Sequence, residues 1–400
     1  GHSHASESCH PHGDHLHCGG HDEHEGEEGH DDHDHDHEHG AEDVPVVKLD
    51  SDRWDIRGEY RDPLAGFSKL RLRASITDYQ HDELEDGIVA TSFTNKAHDG
   101  RLELEHKPLG GWRGVLGLQT GKRDFAASGE EAYVPSTVTK KHAVFLTEEY
   151  TLGDWRFEAA ARHEWQDVKV MRDGDSATQR DTSARGTSVA AGAVWKFSPE
   201  YSLRASVSRS HRLPTAEELY ADGAHLATST WELGNENLTK ETSNNVDLTL
   251  RKYAGATTFS LSAFHNRVNN YIYANTLDNI DGFQLIEYAQ RDATFTGLEG
   301  EVRRKLGANL DATLFGDMVR ARFEDGANRN LPRIAPYRVG ARLDASWQRW
   351  HGLVELVHVG SQDDVAQFES ATSGYNMLNL GTHYSTRIGG VPAQLYARIN

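Results

Sequence analysis

The 400-residue chain carries a formal net charge of -20, but the excess is local: residues 1–43 hold fourteen Asp and Glu and no Lys or Arg, which leaves -6 for the rest. That balance argues against a nucleic-acid surface. Length allows two ordinary domains or one large barrel. No run of ~18 apolar residues could form a spanning helix. A mean hydropathy of -0.68 still allows a membrane barrel, whose strands need apolar residues only at alternate positions.

The chain opens in a segment with thirteen of its 24 histidines: His2, His4, His10, His12, His15, His17, His21, His24, His30, His33, His35, His37 and His39. It culminates in an alternation with Asp32, Asp34, Asp36 and Glu38. Neutral imidazole and carboxylate at every second position give many overlapping ligand sets for borderline divalent cations such as zinc, nickel and copper. The two cysteines, Cys9 and Cys18, lie in the same segment. They could close a small disulfide loop or ligate metal as thiolates; eight intervening residues match no zinc-finger spacing, and an oxidising compartment favours the disulfide.

Beyond residue 51 the pattern has period two. Leu70, Leu72, Ala74 and Ile76 alternate with Lys69, Arg71, Arg73 and Ser75. The alternation recurs in Trp155, Phe157, Ala159 and Ala161, in Leu203, Ala205 and Val207, and in Val246, Leu248 and Leu250. One face suits lipid and the other a wet lumen. A soluble sandwich would place larger aliphatics where many of these alanines stand. Connections alternate in length. Short ones fall near 61–66, 108–111, 152–154, 198–201, 253–256, 306–309, 348–351 and 389–391, and long polar stretches at 80–98, 122–140, 168–185, 212–241, 270–290, 324–335 and 362–374. The expected fold is all-β, an antiparallel transmembrane β-barrel with about sixteen strands of ~10 residues, long outer loops and short periplasmic turns. Trp112, Trp155, Trp195, Tyr201, Trp347 and Trp350 fall at the short turns, where an interfacial girdle belongs. This phase puts the His-rich residues 1–50 on the extracellular side and the barrel at 51–400. The chain ends inside a strand-like pattern at Arg398-Ile399-Asn400, as expected of a piece of a longer protein.

Ser208-Arg209-Ser210-His211-Arg212-Leu213-Pro214-Thr215-Ala216-Glu217-Glu218-Leu219-Tyr220 is followed by Leu233-Gly234-Asn235-Glu236-Asn237-Leu238 and Glu241-Thr242-Ser243. Together these resemble the mid-barrel pattern of TonB-dependent outer-membrane receptors. Thr296-Gly297-Leu298-Glu299-Gly300 and Leu331-Pro332-Arg333-Ile334-Ala335-Pro336 extend the resemblance. It implies a barrel of 22 strands filled by an N-terminal plug, with a TonB box before the plug; neither the plug, the box nor the final strand is visible. Counting back from a penultimate last strand makes the His-rich segment the third extracellular loop, similar to that of zinc-uptake receptors. The implied partners are the TonB complex, outer-membrane lipid and a metal ion as cargo, zinc first and nickel or copper next.

Two stages of binding are expected. The flexible segment captures metal, the density of ligands raising effective concentration. Ordered ligands at the mouth then fix it, with His81, Asp82, Glu83, His98 and Asp99 as candidates on one long loop and His211, Glu217, Glu218 and His225 on another. A siderophore or haem receptor with a secondary metal-binding loop is the alternative, favoured by an aromatic and Arg-rich lumen site in the plug that is not visible here; a non-transporting metal-binding surface protein, which would lack a TonB box upstream, is a third reading. The sequence contains no nucleophile elbow, phosphate loop or His-Glu-x-x-His motif, so no enzyme is expected. With the barrel seam unclosed, the isolated chain is expected to misfold unless the missing strands are supplied.

Overall fold

The computed structural model describes residues 9–12, 15–18, 46–85, 87–129, 131–171, 178–225 and 228–400. In the His-rich segment this covers only the backbone of β1 (Cys9–His12) and β2 (His15–Cys18), an antiparallel pair that sets Cys9 opposite Cys18. Opposed positions in such a pair lie about 4.5–5.5 Å apart, Cα to Cα, within the span of a disulfide. Of the expected ligands, His10, His12, His15 and His17 have a described backbone. His2, His4, His21, His24, His30, His33, His35, His37, His39, Asp32, Asp34, Asp36 and Glu38 lie outside the described residues.

The wall comprises β3 (Val46–Arg61), β4 (Phe67–Glu85), β5 (Ile88–His106), β6 (Trp112–Gly129), β7 (Thr137–Leu152), β8 (Trp155–Val170), β9 (Thr182–Trp195) and β10 (Tyr201–Arg212). It continues with β13 (Glu241–Lys252), β14 (Thr257–Ile280), β15 (Phe283–Lys305), β16 (Leu310–Phe323), β17 (Arg338–Trp347), β18 (Trp350–Val359), β19 (Tyr375–Ile388) and β20 (Val391–Ile399). These sixteen follow one another in antiparallel register, β10 pairing with β13 across an insertion. The insertion carries one short helix, α1 (Ala216–Tyr220), and the hairpin of β11 (Asp222–His225) and β12 (Thr230–Leu233). With β12 running parallel beside β15, the sheet has 18 strands. The strand order runs round a barrel with β3 following β20. Residue registers, however, join β3 only to β4 and β20 only to β19. Burial agrees with the registers, for β3 is exposed throughout and β20 at all but one position. We therefore take the seam between them as unpaired.

Period two is realised as two faces. Leu72, Ile76, Leu116, Leu118, Val144, Leu146, Val189, Val207 and Leu248 stand exposed on the outside, where an Arg or Lys at mid-membrane depth would cost about 2–4 kcal/mol. Inside, Arg71 reaches Glu103 at 3.4 Å and Glu105 at 2.8 Å, Arg162 meets Glu164 at 3.0 Å, and Arg204 meets Glu158 at 3.0 Å. The short turns form as expected. Gly389 and Gly390, at φ of 59° and 83°, make the two-residue turn between β19 and β20, a conformation that favours glycine at both positions.

Two expected loops are instead strand. Residues 80–98 belong largely to a hairpin of β4 and β5, and 270–290 to one of β14 and β15. Above the membrane both faces of a hairpin are wet, so its sequence is polar although its backbone hydrogen bonds are met by the ladder. At the same end the insertion 213–240 folds inward. Leu219 and Tyr220, each at most 1 % exposed, pack with Val168, Val170, Leu238 and Ile272.

Candidate functional site

The inserted loop is held by the residues of the resembled motif. Thr215 caps α1, its hydroxyl accepting from the Glu218 amide at 3.3 Å, and the Glu218 carboxylate in turn accepts from the Thr215 amide at 2.9 Å. Arg212, ending β10, donates two bonds to Glu218 at 3.0 and 3.1 Å and one to Glu241 at 2.6 Å. The second Glu241 oxygen accepts the Ile272 amide at 2.6 Å. Gly234 donates its amide to the Ala221 carbonyl at 2.6 Å, and Asn235 donates to the Glu218 carbonyl at 2.8 Å. A Cβ at Gly234 would lie 2.5–2.6 Å from backbone atoms of Leu219, Tyr220 and Ala221, so the approach requires glycine. Gln166 on β8 donates to the Pro214 carbonyl at 2.7 Å, and the Asp222 amide donates to the Tyr133 carbonyl at 2.7 Å. The loop is thus fastened to three parts of the rim.

Beneath it lies a cavity of about 250 Å³, lined among others by His81, Glu83, Arg123, Tyr133, Glu217 and His225. The inward positions of β4 are odd-numbered, in phase with Arg71, which delivers Tyr79, His81 and Glu83 to one side. His81 stacks on Phe93, with centroids 4.6 Å apart. Its Nδ1 meets the Tyr79 hydroxyl at 3.0 Å and its Nε2 lies 3.5 Å from Glu83. From the opposite side, β11 delivers His225, stacked on Tyr133 at 4.4 Å with Nδ1 3.4 Å from Glu232. Glu217 on α1 accepts from Arg123 at 3.0 Å. Burial, then the carboxylates of Glu232 and Glu217, push the Tyr133 phenol up from its ordinary pKa, so it remains a protonated donor beside His225.

Each imidazole lies beside a carboxylate, but both ring nitrogens of His81 are engaged, Nδ1 by Tyr79 and Nε2 by Glu83, so ligation by His81 requires displacing one of these contacts. Among the described residues no three His, Cys, Asp or Glu side chains already converge on one point. Binding an ion between the two sides therefore requires rotation of these side chains.

Of the candidate residues, His81, Glu83, Glu217 and His225 come together. Asp82 has the opposite parity, faces outward, and accepts from Ser92 at 2.6 Å and Gln80 at 3.2 Å. His98 pairs with Ile76 on the same outer face, whereas Asp99 pairs with Ser75 on the inner one. Six residues separate that level from His81, roughly 20 Å along a strand. His211 is occupied in accepting the Thr187 amide at 2.9 Å, and Glu218 belongs to the Arg212 clamp. Sequence reasoning missed Tyr79, Phe93, Arg123, Tyr133 and Glu232. Carrying the barrel's odd-even phase into the hairpin would have found Tyr79 beside His81.

The family described as "TonB dependent receptor-like, beta-barrel" matches residues 20–400. The chain belongs to this family of outer-membrane barrels, whose members are transporters rather than enzymes. Its fold is similar to that of the copper transporter OprC, with a TM-score of 0.75 at 13% identity over 86% of this chain and 58% of that one. The FrpB iron transporter from Neisseria meningitidis (F3-3 variant) gives 0.63 at 12% identity over 88% and 58%. A double mutant of the Serratia marcescens hemophore receptor HasR, solved with its hemophore HasA and heme, gives 0.62 at 13% identity over 86% and 61%. The chain spans about 58% of the length of the first two structures.

Proposed function

We propose that this chain is the barrel of an outer-membrane receptor that imports a divalent transition metal, zinc foremost, energised through the TonB complex. The observation that carries the reading is the meeting of His81, Glu83, Glu217 and His225 in one cavity at the long-loop end, in a chain that also holds thirteen histidines in its first 40 residues. By this reading the long-loop end is extracellular. The segment gathers ions weakly and often, and the two His–Glu pairs receive them below. Imidazole nitrogen with carboxylate oxygen suits zinc, and copper by the general affinity order.

A ferric chelate or haem is the second reading. It is favoured by Phe93, Phe125 and Tyr133 with Arg123 in the same lining, which would suit an aromatic, anionic ligand. The test is accumulation of radioactive zinc in zinc-starved cells carrying the full receptor, with and without residues 1–40 and with TonB present or deleted. Uptake should require TonB and weaken without the segment. Zinc uptake indifferent to TonB would overturn the proposal in favour of the second reading or a surface buffer.

A further inference from the structure

The inner face at the short-turn end holds a group of ligating side chains that the mouth does not use. On β17, β18 and β19 the exposed, outward residues Leu343, Val354 and Leu380 fall in one register, so Asp344, His351 and His383, of the opposite parity, point into the lumen. His351 is the second residue of β18, and His383 faces it directly on β19. Their rings stack with centroids 4.8 Å apart and planes 22° from parallel. On the diagonal, His351 Nε2 lies 3.7 Å from Asp344 Oδ1, while Arg342 donates to the other Asp344 oxygen at 3.1 Å. Asp311 on β16 stands opposite Asp344 and accepts from Arg303 at 2.6 Å, so two arginines offset two opposed carboxylates.

Unused ring nitrogens set this pair apart. Four other histidines of the wall bond the residue directly opposite: His142 to Thr120 at 2.9 Å, His163 to Thr187 at 2.7 Å, His265 to Thr296 at 2.9 Å and His358 to Asn376 at 2.8 Å. His383 makes no hydrogen bond among the described residues, and His351 has only its approach to Asp344. A tetrahedral ion bonded to two nitrogens at about 2.0–2.1 Å holds them roughly 3.3 Å apart, a span that two stacked rings on opposed residues can meet. Among the described residues the three groups do not already converge on one point. Turning the rings about their broad terminal torsions breaks no hydrogen bond at His383 and only the 3.7 Å approach at His351.

We propose that His351 and His383, with Asp344, bind one divalent transition-metal ion on the lumen wall, at the end of the barrel opposite the mouth cavity. Two imidazole nitrogens and one carboxylate oxygen suit zinc, copper or nickel, whereas magnesium takes oxygen ligands. Arg342 fixes the carboxylate that faces the ion, as outer partners of metal ligands do. The proposal rests on the register of β17 to β19 and is independent of which cargo the mouth receives.

Carbethoxylation of histidines in the detergent-solubilised full receptor, mapped by peptide mass spectrometry over a zinc titration, tests it in place. Zinc should suppress modification of both His351 and His383, and magnesium at the same concentrations should protect neither. His383→Gln should abolish protection of His351, and Asp344→Asn should raise the zinc midpoint about tenfold. Asp317→Asn, which removes an inward carboxylate held by Arg338 at 2.6 Å, should leave the midpoint unchanged. His81→Ala with His225→Ala should also leave it unchanged, which separates this site from the one at the mouth. Should His383→Gln fail to give a folded, heat-modifiable band, the Asp344→Asn midpoint decides. Absence of zinc protection, equal protection by magnesium, protection of His351 in folded His383→Gln, an unmoved midpoint in Asp344→Asn, or loss of protection in the folded mouth variant would each overturn the proposal.

Discussion

Adding one methyl group at Gly234 should release the inserted loop from the barrel mouth while leaving the wall folded. The new Cβ would stand 2.5 Å from the Tyr220 amide nitrogen and 2.6 Å from backbone of Ala221 and Leu219, none of which can swing aside as a side chain would. Relief demands that β12 and α1 separate, which stretches the bonds from Gly234 to the Ala221 carbonyl and from Asn235 to the Glu218 carbonyl, now 2.6 and 2.8 Å. At about 1 kcal/mol for each bond and about 1–3 kcal/mol for overpacking, the loop loses roughly 3–5 kcal/mol of docking energy. Limited proteolysis of the folded receptor in detergent is the assay. Gly234→Ala should be cut rapidly within 213–240 while its heat-modifiable band persists, and zinc uptake should fall because this loop carries Glu217 and His225. A variant as protease-resistant as the parent, with undiminished uptake, would refute the reasoning.

Arg212→Met leaves Glu218 and Glu241, whose side chains are 15% and 10% exposed, without their cation. Because the Arg212 side chain is 44% exposed, the expected loss is about 2 kcal/mol rather than that of a fully buried pair, read from urea unfolding followed by tryptophan fluorescence. Calorimetric titration of the isolated residues 1–40 with zinc should show weaker binding at pH 5 than at pH 7.5, since protonated imidazole cannot ligate; equal affinity would remove histidine as the ligand. Thiol titration of the unfolded, unreduced receptor should find Cys9 and Cys18 oxidised, as their opposed register favours. Two free thiols would instead support metal ligation.

The barrel was legible because its physics is local. Lipid on one face and water on the other force Leu70, Leu72, Ala74 and Ile76 into alternation, and short turns need Gly389-Gly390 or similar residues, so strand count and turn positions follow from the chain alone. The hairpin tips were misread because outside the membrane no apolar face remains to mark a strand. The candidate site was half legible. His81 and His225 stand out as metal-ligating residue types, but 144 positions separate them in the sequence, and only barrel curvature with the inward fold of 213–240 brings them to one cavity. Asp82 and His98 failed to join for a simpler reason, since one step of parity turns a side chain from lumen to exterior. The motif around Arg212, Gly234 and Glu241 was conspicuous, yet its physical task, fastening the loop, became visible only with the hydrogen bonds.

The most direct test of the central claim is zinc accumulation in starved cells expressing the full receptor with His81→Ala and His225→Ala together, compared with the Asp82→Ala and His98→Ala pair. The inward pair should abolish most TonB-dependent uptake and the outward pair should leave it intact. Equal uptake by both, at matched amounts of folded receptor, would contradict passage of the metal through this cavity.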